Sequence, residues 1–194
     1  MSLRLLGGEA RGFLLQAPPE KITRPTAALL KRRLFDWRQD WSERCFVDLC
    51  AGSGGVGLEA LSRGARALWL NESHRDAYRV LEKNVRRWSD QGHGERLGVP
   101  RLQHGDFRRL LGELAKSAQW CHSECTLFFD PPYEEHALYQ QFFELVRGLP
   151  CELIIEGDTQ KGPPLSELRQ HLSGAVKEFA QSTHWLLVAR PLPR

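Results

Sequence analysis

Phe46-Val47-Asp48-Leu49-Cys50-Ala51-Gly52-Ser53-Gly54-Gly55-Val56-Gly57-Leu58 is the stretch whose reading decides the fold. An apolar run meets a glycine-rich turn, and the turn meets residues of helical character. The segment therefore reads as buried strand, turn and helix start. Gly52, Gly54 and Gly57 fall at the G-x-G-x-x-G spacing. Glycines there let the backbone approach a ligand closely and leave helix N–H groups pointing at it. By itself this implies only a nucleotide-like cofactor. A second anchor is Phe128-Phe129-Asp130-Pro131-Pro132-Tyr133, an apolar strand that ends in Asp-Pro-Pro-Tyr.

Around these anchors the composition sets bounds. A chain of 194 residues that is 41% hydrophobic can bury one full core, so one domain with a small appendage is expected. No apolar run approaches the length of a membrane span, and Met1-Ser2-Leu3-Arg4 lacks a signal peptide's apolar core, so a soluble cytoplasmic protein is expected. The five cysteines lack framework spacing and read as reduced thiols, with Cys45 and Cys50 in or beside the first core strand. Cys121-His122-x-x-Cys125 offers too few ligands in one short segment for zinc, so no metal is expected. Residues 1–44 hold nine Lys/Arg against five Asp/Glu, whereas the remainder holds eighteen against nineteen. The basic excess thus lies ahead of the glycine turn, where it suits either a solvated face or an anionic partner such as nucleic acid.

In chain order, Leu3–Leu6 and Phe13–Leu15 flank Gly7-Gly8-Glu9-Ala10-Arg11-Gly12 and predict a β-hairpin. Arg24-Pro25-Thr26 opens a helix over 27–37, with Leu29, Leu30, Leu34 and Trp37 inward. Arg11, Arg24, Lys31, Arg32 and Arg33 are the candidate phosphate contacts. From residue 45 the rhythm is strand–helix. Strands are expected at 45–49, 67–70, 99–103, 126–129 and 153–155. Helices are expected at 56–63, at 73–85 capped by Ser73, at 107–115, 135–146 and 165–172. Residues 89–98 read as a loop, and two last strands near 175–181 and 184–189 as a hairpin. The pattern predicts an α/β fold: a mostly parallel, Rossmann-like sheet with an antiparallel edge, helices on both faces, and a hairpin-and-helix extension at residues 1–44 preceding a main domain at 45–194.

Ligands of such sheets gather at the carboxyl ends of the strands. There stand Asp48, the glycine turn, Glu72, Asp106, Asp130 and Glu156. Glu72 follows Gly52 by twenty residues, where an acid accepts hydrogen bonds from ribose hydroxyls. Asp48 precedes the turn, where a pyrophosphate would be repelled and a cationic group welcomed, which favours S-adenosylmethionine over NAD. Asp106 reads either as an acceptor for the adenine amino group or as a helix N-cap. The Asp130 carboxylate and the Pro131 carbonyl suit the two hydrogens of one planar NH2, and Tyr133 offers a stacking face for a flipped base.

On these residues the sequence resembles the class I methyltransferases, and within them the bacterial guanine-N2 methyltransferases of 16S ribosomal RNA. The resemblance runs through Gly7-Gly8-x-x-Arg11-Gly12, Arg24-Pro25-Thr26, Leu34-Phe35-Asp36-Trp37, Asp48 to Gly54, Gly57 to Ala65, Lys83-Asn84 and Asp130 to Tyr133. It implies S-adenosyl-L-methionine held by Asp48, Ala51, Gly52, Ser53, Gly54, Glu72 and Asp106. It also implies a target amine at Asp130, Pro131 and Tyr133, and ribosomal RNA or the 30S particle as partner; a monomer is expected. Two features depart from the family pattern: Asn71-Glu72-Ser73-His74 lacks an aspartate after Glu72, and Ala27-Ala28-Leu29-Leu30 replaces a charged run. Competing readings are a DNA adenine-N6 or other amino-group methyltransferase, a catalytically silent RNA-binding module on the same fold, and an NAD-linked oxidoreductase.

Overall fold

The computed structural model describes residues 3–18, 28–118, 120 and 122–193. Arg24-Pro25-Thr26 and Cys121 lie outside the described residues. The chain runs β1 (Leu3–Arg4), β2 (Leu14–Leu15), α1 (Ala28–Trp37), β3 (Cys45–Asp48), α2 (Gly55–Ser62), β4 (Ala67–Glu72), α3 (Arg75–Asp90), α4 (His93–Leu97), β5 (Arg101–His104), α5 (Phe107–Leu114), β6 (Cys125–Phe129), α6 (His136–Val146), β7 (Glu152–Asp158), α7 (Leu165–Arg169), β8 (Leu172–Gln181) and β9 (His184–Pro191). No described helix is long and apolar enough to cross a membrane.

The seven-stranded sheet has the order β5-β4-β3-β6-β7-β9-β8. The first five strands are parallel, and β9 runs antiparallel to both β7 and β8. This is the expected Rossmann-like sheet, with chain reversal on either side of β3. The central strands are apolar at successive positions because both faces are covered. Phe46, Leu68, Leu70, Phe128, Ile154, Leu186 and Val188 join one core with the hairpin, α1, α2 and α3. Their neighbours Val47, Leu127, Phe129, Leu153, Ile155 and Leu187 join the other with α5, α6 and α7.

The β1–β2 hairpin is docked by polar groups of α2. The Ser62 hydroxyl donates to the Gly7 carbonyl at 2.7 Å and accepts from the Ala10 N–H at 2.9 Å. Gly8 has φ +74°, and a Cβ there would sit 2.0 Å from the Ser62 carbonyl oxygen. Only glycine permits so close an approach.

Several expectations are corrected. The inward face of α1 is Leu30, Lys31, Leu34 and Phe35, whereas Leu29 and Trp37 are exposed. Lys31 turns inward because the carboxylate of Glu59, itself fully buried on α2, lies 3.6 Å from its Nζ. The lysine also donates to the Gly55 carbonyl. His74 rather than Ser73 caps α3, its Nδ1 accepting from the Asp76 N–H at 3.3 Å. The segment read as a loop at 89–98 contains the end of α3 and all of α4. Polar composition hid α4, which is held because the His93 ring packs on Trp88 and Phe13 and the Trp88 indole N–H reaches the Gly98 carbonyl. Val99 is exposed and precedes its strand.

Candidate active site

The ends of β3, β4, β6 and β7 bring Asp48, Glu72, Asp130 and Glu156 to one edge of the sheet. The turn after β3 closes on itself: the Gly54 N–H donates to the Ala51 carbonyl at 2.7 Å, and the Ala51 N–H to the Asn71 carbonyl at 2.8 Å. Gly54 caps α2 at φ 82°, where a Cβ would also press within 2.7 Å of Leu81. Glu72 joins the two loops, one oxygen accepting from the Gly52 N–H at 2.8 Å and the other from the His74 N–H at 2.7 Å. Each oxygen keeps a second lone pair for a hydroxyl donor.

Two asparagines that the sequence reading did not use as site residues hold this turn. The Asn71 side chain donates to the carbonyls of Leu49 and Gly105, at 2.9 and 3.0 Å. Asn84 donates to the carbonyls of Gln16 and Ser53 and accepts from the Gln16 N–H, each at 2.9 Å. The sequence signs of Asn84 were the Lys83-Asn84 pair of the family resemblance and a polar residue beside the apolar face of α3.

Electrostatics give this edge its character. Asp48 is 1% exposed. Burial, the nearby Asp130 and Glu72 carboxylates push its carboxyl up to about 8, against the opposing Cys50 and Gly57 backbone N–H groups. Burial and the same carboxylates push the Cys50 thiol well up, so it stays a neutral thiol. A site that holds several buried carboxylates with this effect on its neighbours is complementary to a cation. That property suits the sulfonium and ammonium groups of S-adenosylmethionine and opposes a pyrophosphate.

At the end of β6, Asp130 is half-buried, Pro131 buried and Pro132 exposed. The Pro132 carbonyl is taken by the Glu135 N–H at 3.0 Å. Tyr133 is only 6% exposed, and its hydroxyl donates to the Glu156 carboxylate at 3.2 Å. Burial and the charges of Asp130 and Glu156 push its phenol far above the ordinary range, so it acts as a donor. The expected stacking surface is thereby restricted to the small part of the ring that reaches solvent. Beside it stands His184, its ring centroid 5.8 Å away, with Thr183 hydrogen-bonded to Asp158 at 2.6 Å. Sequence reasoning missed this corner because β7 and β9 meet there only through sheet pairing.

Asp106 caps α5, accepting from the Arg108 N–H at 2.8 Å and pairing with its guanidinium. That partner holds its carboxyl below the usual range. Of the candidate phosphate contacts, Arg11, Arg32 and Arg33 are exposed, whereas Lys31 is tied inward to Glu59 and Gly55.

The family model described as conserved hypothetical protein 95 matches residues 3–176. The chain belongs to this family. Its relatives include proteins named ribosomal RNA small subunit methyltransferase D. The Haemophilus influenzae (strain Rd) protein of that name is 28% identical over 167 residues, 84% of this chain and 81% of its own length. The Escherichia coli K12 protein is 39% identical over 85 residues, 43% of this chain and 42% of its own. A solved structure of a candidate methyltransferase from Escherichia coli, yhhF, superposes over the full length of both chains with a TM-score of 0.74 at 23% identity. This family member therefore has the class I methyltransferase fold.

Proposed function

We propose that this protein transfers a methyl group from S-adenosyl-L-methionine to the exocyclic N2 amine of a guanine in small-subunit ribosomal RNA. The observation that carries the reading is the juxtaposition of a buried, carboxylate-rich cofactor corner with Asp130-Pro131-Pro132-Tyr133 on the adjacent strand. The names of the relatives and the resemblance of the N-terminal elements support ribosomal RNA as substrate.

In this reading Asp48 answers the positive end of the cofactor, Glu72 accepts from the ribose hydroxyls, and the backbone of Ala51, Gly52, Ser53 and Gly54 lies against it. Asp106 stands at the adenine side. The bound cofactor supplies an electrophilic methyl group on sulfur. The Asp130 carboxylate and the Pro131 carbonyl each accept one N–H of the target amine, which turns the nitrogen lone pair toward the methyl carbon. Positioning of this kind accounts for much of the acceleration of an in-line displacement. The methylated nitrogen is cationic and strongly acidic, so its proton passes to Asp130 or to water without a stronger base. Tyr133, locked by Glu156, closes the wall behind the base.

The test is tritiated-methyl transfer to small-subunit ribosomal RNA, free and in 30S particles, from cells that lack the protein. Label mapped to a guanine N2 is the expected result. Cofactor binding with no label in either substrate would overturn the RNA assignment, and label in DNA adenine would replace it.

A further inference from the structure

Away from the cofactor corner, α1 and the edge strand β8 build a face that mixes aromatic rings with cations. Trp37 is 39% exposed, whereas Trp41, Trp88, Trp120 and Trp185 are fully buried. Its ring lies 5.8 Å from that of Phe179. The Lys177 ammonium sits 5.3 Å from the Trp37 centroid and 5.4 Å from that of Phe179. Arg33 donates to the Ala180 carbonyl and so pins the helix to the strand. Among the described residues, neither Lys177 nor Arg33 has a carboxylate partner. Arg32 pairs with Asp36 at 3.4 Å, both largely exposed, an arrangement that a stronger anion displaces readily. Arg38, 4.6 Å from the Trp37 ring, has its charge answered by Glu152.

Strand alternation sorts β8 further. Lys177, Phe179 and Gln181 share the face turned to α1, while Glu178 points to the opposite face and pairs with Arg169 at 2.6 Å. The acid in this stretch is thus removed from the basic face. Register then ties the face to the amine site. Gln181 pairs with His184, His184 pairs with Asp158, and the His184 ring meets Tyr133. From that rim to Lys177 the strand advances four residues, about 13 Å.

We infer that the α1–β8 face binds the single-stranded RNA that flanks the target nucleotide, stacking a base on Trp37 and meeting its phosphates with Arg32, Arg33 and Lys177. Aromatic rings interleaved with cations form the usual platform for a single strand, since bases stack on the rings and the cations track the backbone. A protein partner would favour an apolar centre depleted of lysine, which this face lacks. The inference rests on the proposed RNA substrate and adds its docking surface, to which the edge strand β8 contributes alongside the basic N-terminal segment.

The test is binding of a fluorescein-labelled single-stranded RNA decamer over a salt series, with cofactor affinity and the thermal midpoint as controls for folding. Lys177→Ser combined with Arg32→Ser should flatten the slope of log K against log salt by roughly 1.4, two phosphate contacts on a single strand. Trp37→Leu should weaken binding about tenfold, Trp37→Phe should restore most of it, and RNA should quench the fluorescence of the wild-type Trp37. Unchanged slope and affinity in folded variants would overturn the inference. If the wild type binds the decamer in this manner yet methylates no ribosomal RNA, the surface stands and the proposed reaction falls. Normal methylation by variants with unaltered RNA affinity would sink the surface alone.

Discussion

Replacement of Asp48 by asparagine isolates the electrostatic design of the cofactor corner. Asn keeps the side-chain oxygen that faces the Cys50 N–H and removes the ionisable group. In the folded protein the Asp48 carboxyl is pushed up to about 8, far above its ordinary 3.8. Between these values the folded state holds a proton that the unfolded chain has lost. Asp48 therefore contributes stability below pH 4 that disappears progressively as the pH rises toward 8. Each pH unit in that window is worth about 1.4 kcal/mol, so the wild type should lose up to about 3 kcal/mol relative to Asp48→Asn between pH 5 and pH 7. Denaturant melts of both proteins at the two pH values measure this difference. Cofactor binding supplies the opposite sign. A cation beside Asp48 favours the carboxylate, so binding at pH 7 should release close to one proton and tighten as the pH rises toward 8. Calorimetry in buffers of different ionisation enthalpy counts that proton. Parallel pH profiles for the two proteins, or equal S-adenosylmethionine affinity, would refute the argument that Asp48 is a strained acid awaiting a cation.

Asp130→Ala should bind the cofactor but lose about 10²–10³ of the methyl-transfer rate, because the side-chain acceptor for the target amine is gone; single-turnover transfer measures it. Gly8→Ala forces a Cβ onto the Ser62 carbonyl at a positive φ, and should cost about 2–4 kcal/mol in denaturant melts by undocking the hairpin. Glu59→Ala leaves the buried cations of Lys31 and Arg63 without their carboxylate, and should cost about 3–5 kcal/mol; a loss below 1 kcal/mol would show that the three-way tie is incidental.

The local grammar of this chain was legible because short-range signals agreed. Gly52, Gly54 and Gly57 after an apolar run, and Asp-Pro-Pro-Tyr after another, announce strands that end in ligand-facing turns, and the alternation of elements announces a parallel sheet. The hairpin of β8 and β9 was equally readable from its spacing. What the sequence left undecided depends on partners distant in the chain. Periodicity sent Trp37 inward and the basic charge of Lys31 suggested a phosphate contact, yet the lysine turns in to the buried Glu59 of α2 and the indole lies beside Phe179 of β8. Polar composition read residues 93–97 as loop, although the ring of Trp88 gives His93 a surface on which a helical turn can rest. The raised proton affinity of Asp48 likewise arises from carboxylates on β4 and beyond β6, eighty-two positions away in the case of Asp130. By itself, then, the sequence determined the strands and turns of the parallel sheet, most of its helices and which acids stand at the strand ends. Tertiary structure alone decided which charges share one buried dielectric and which cations remain at the surface, because burial and Coulomb energy depend on distance in space and not on separation along the chain.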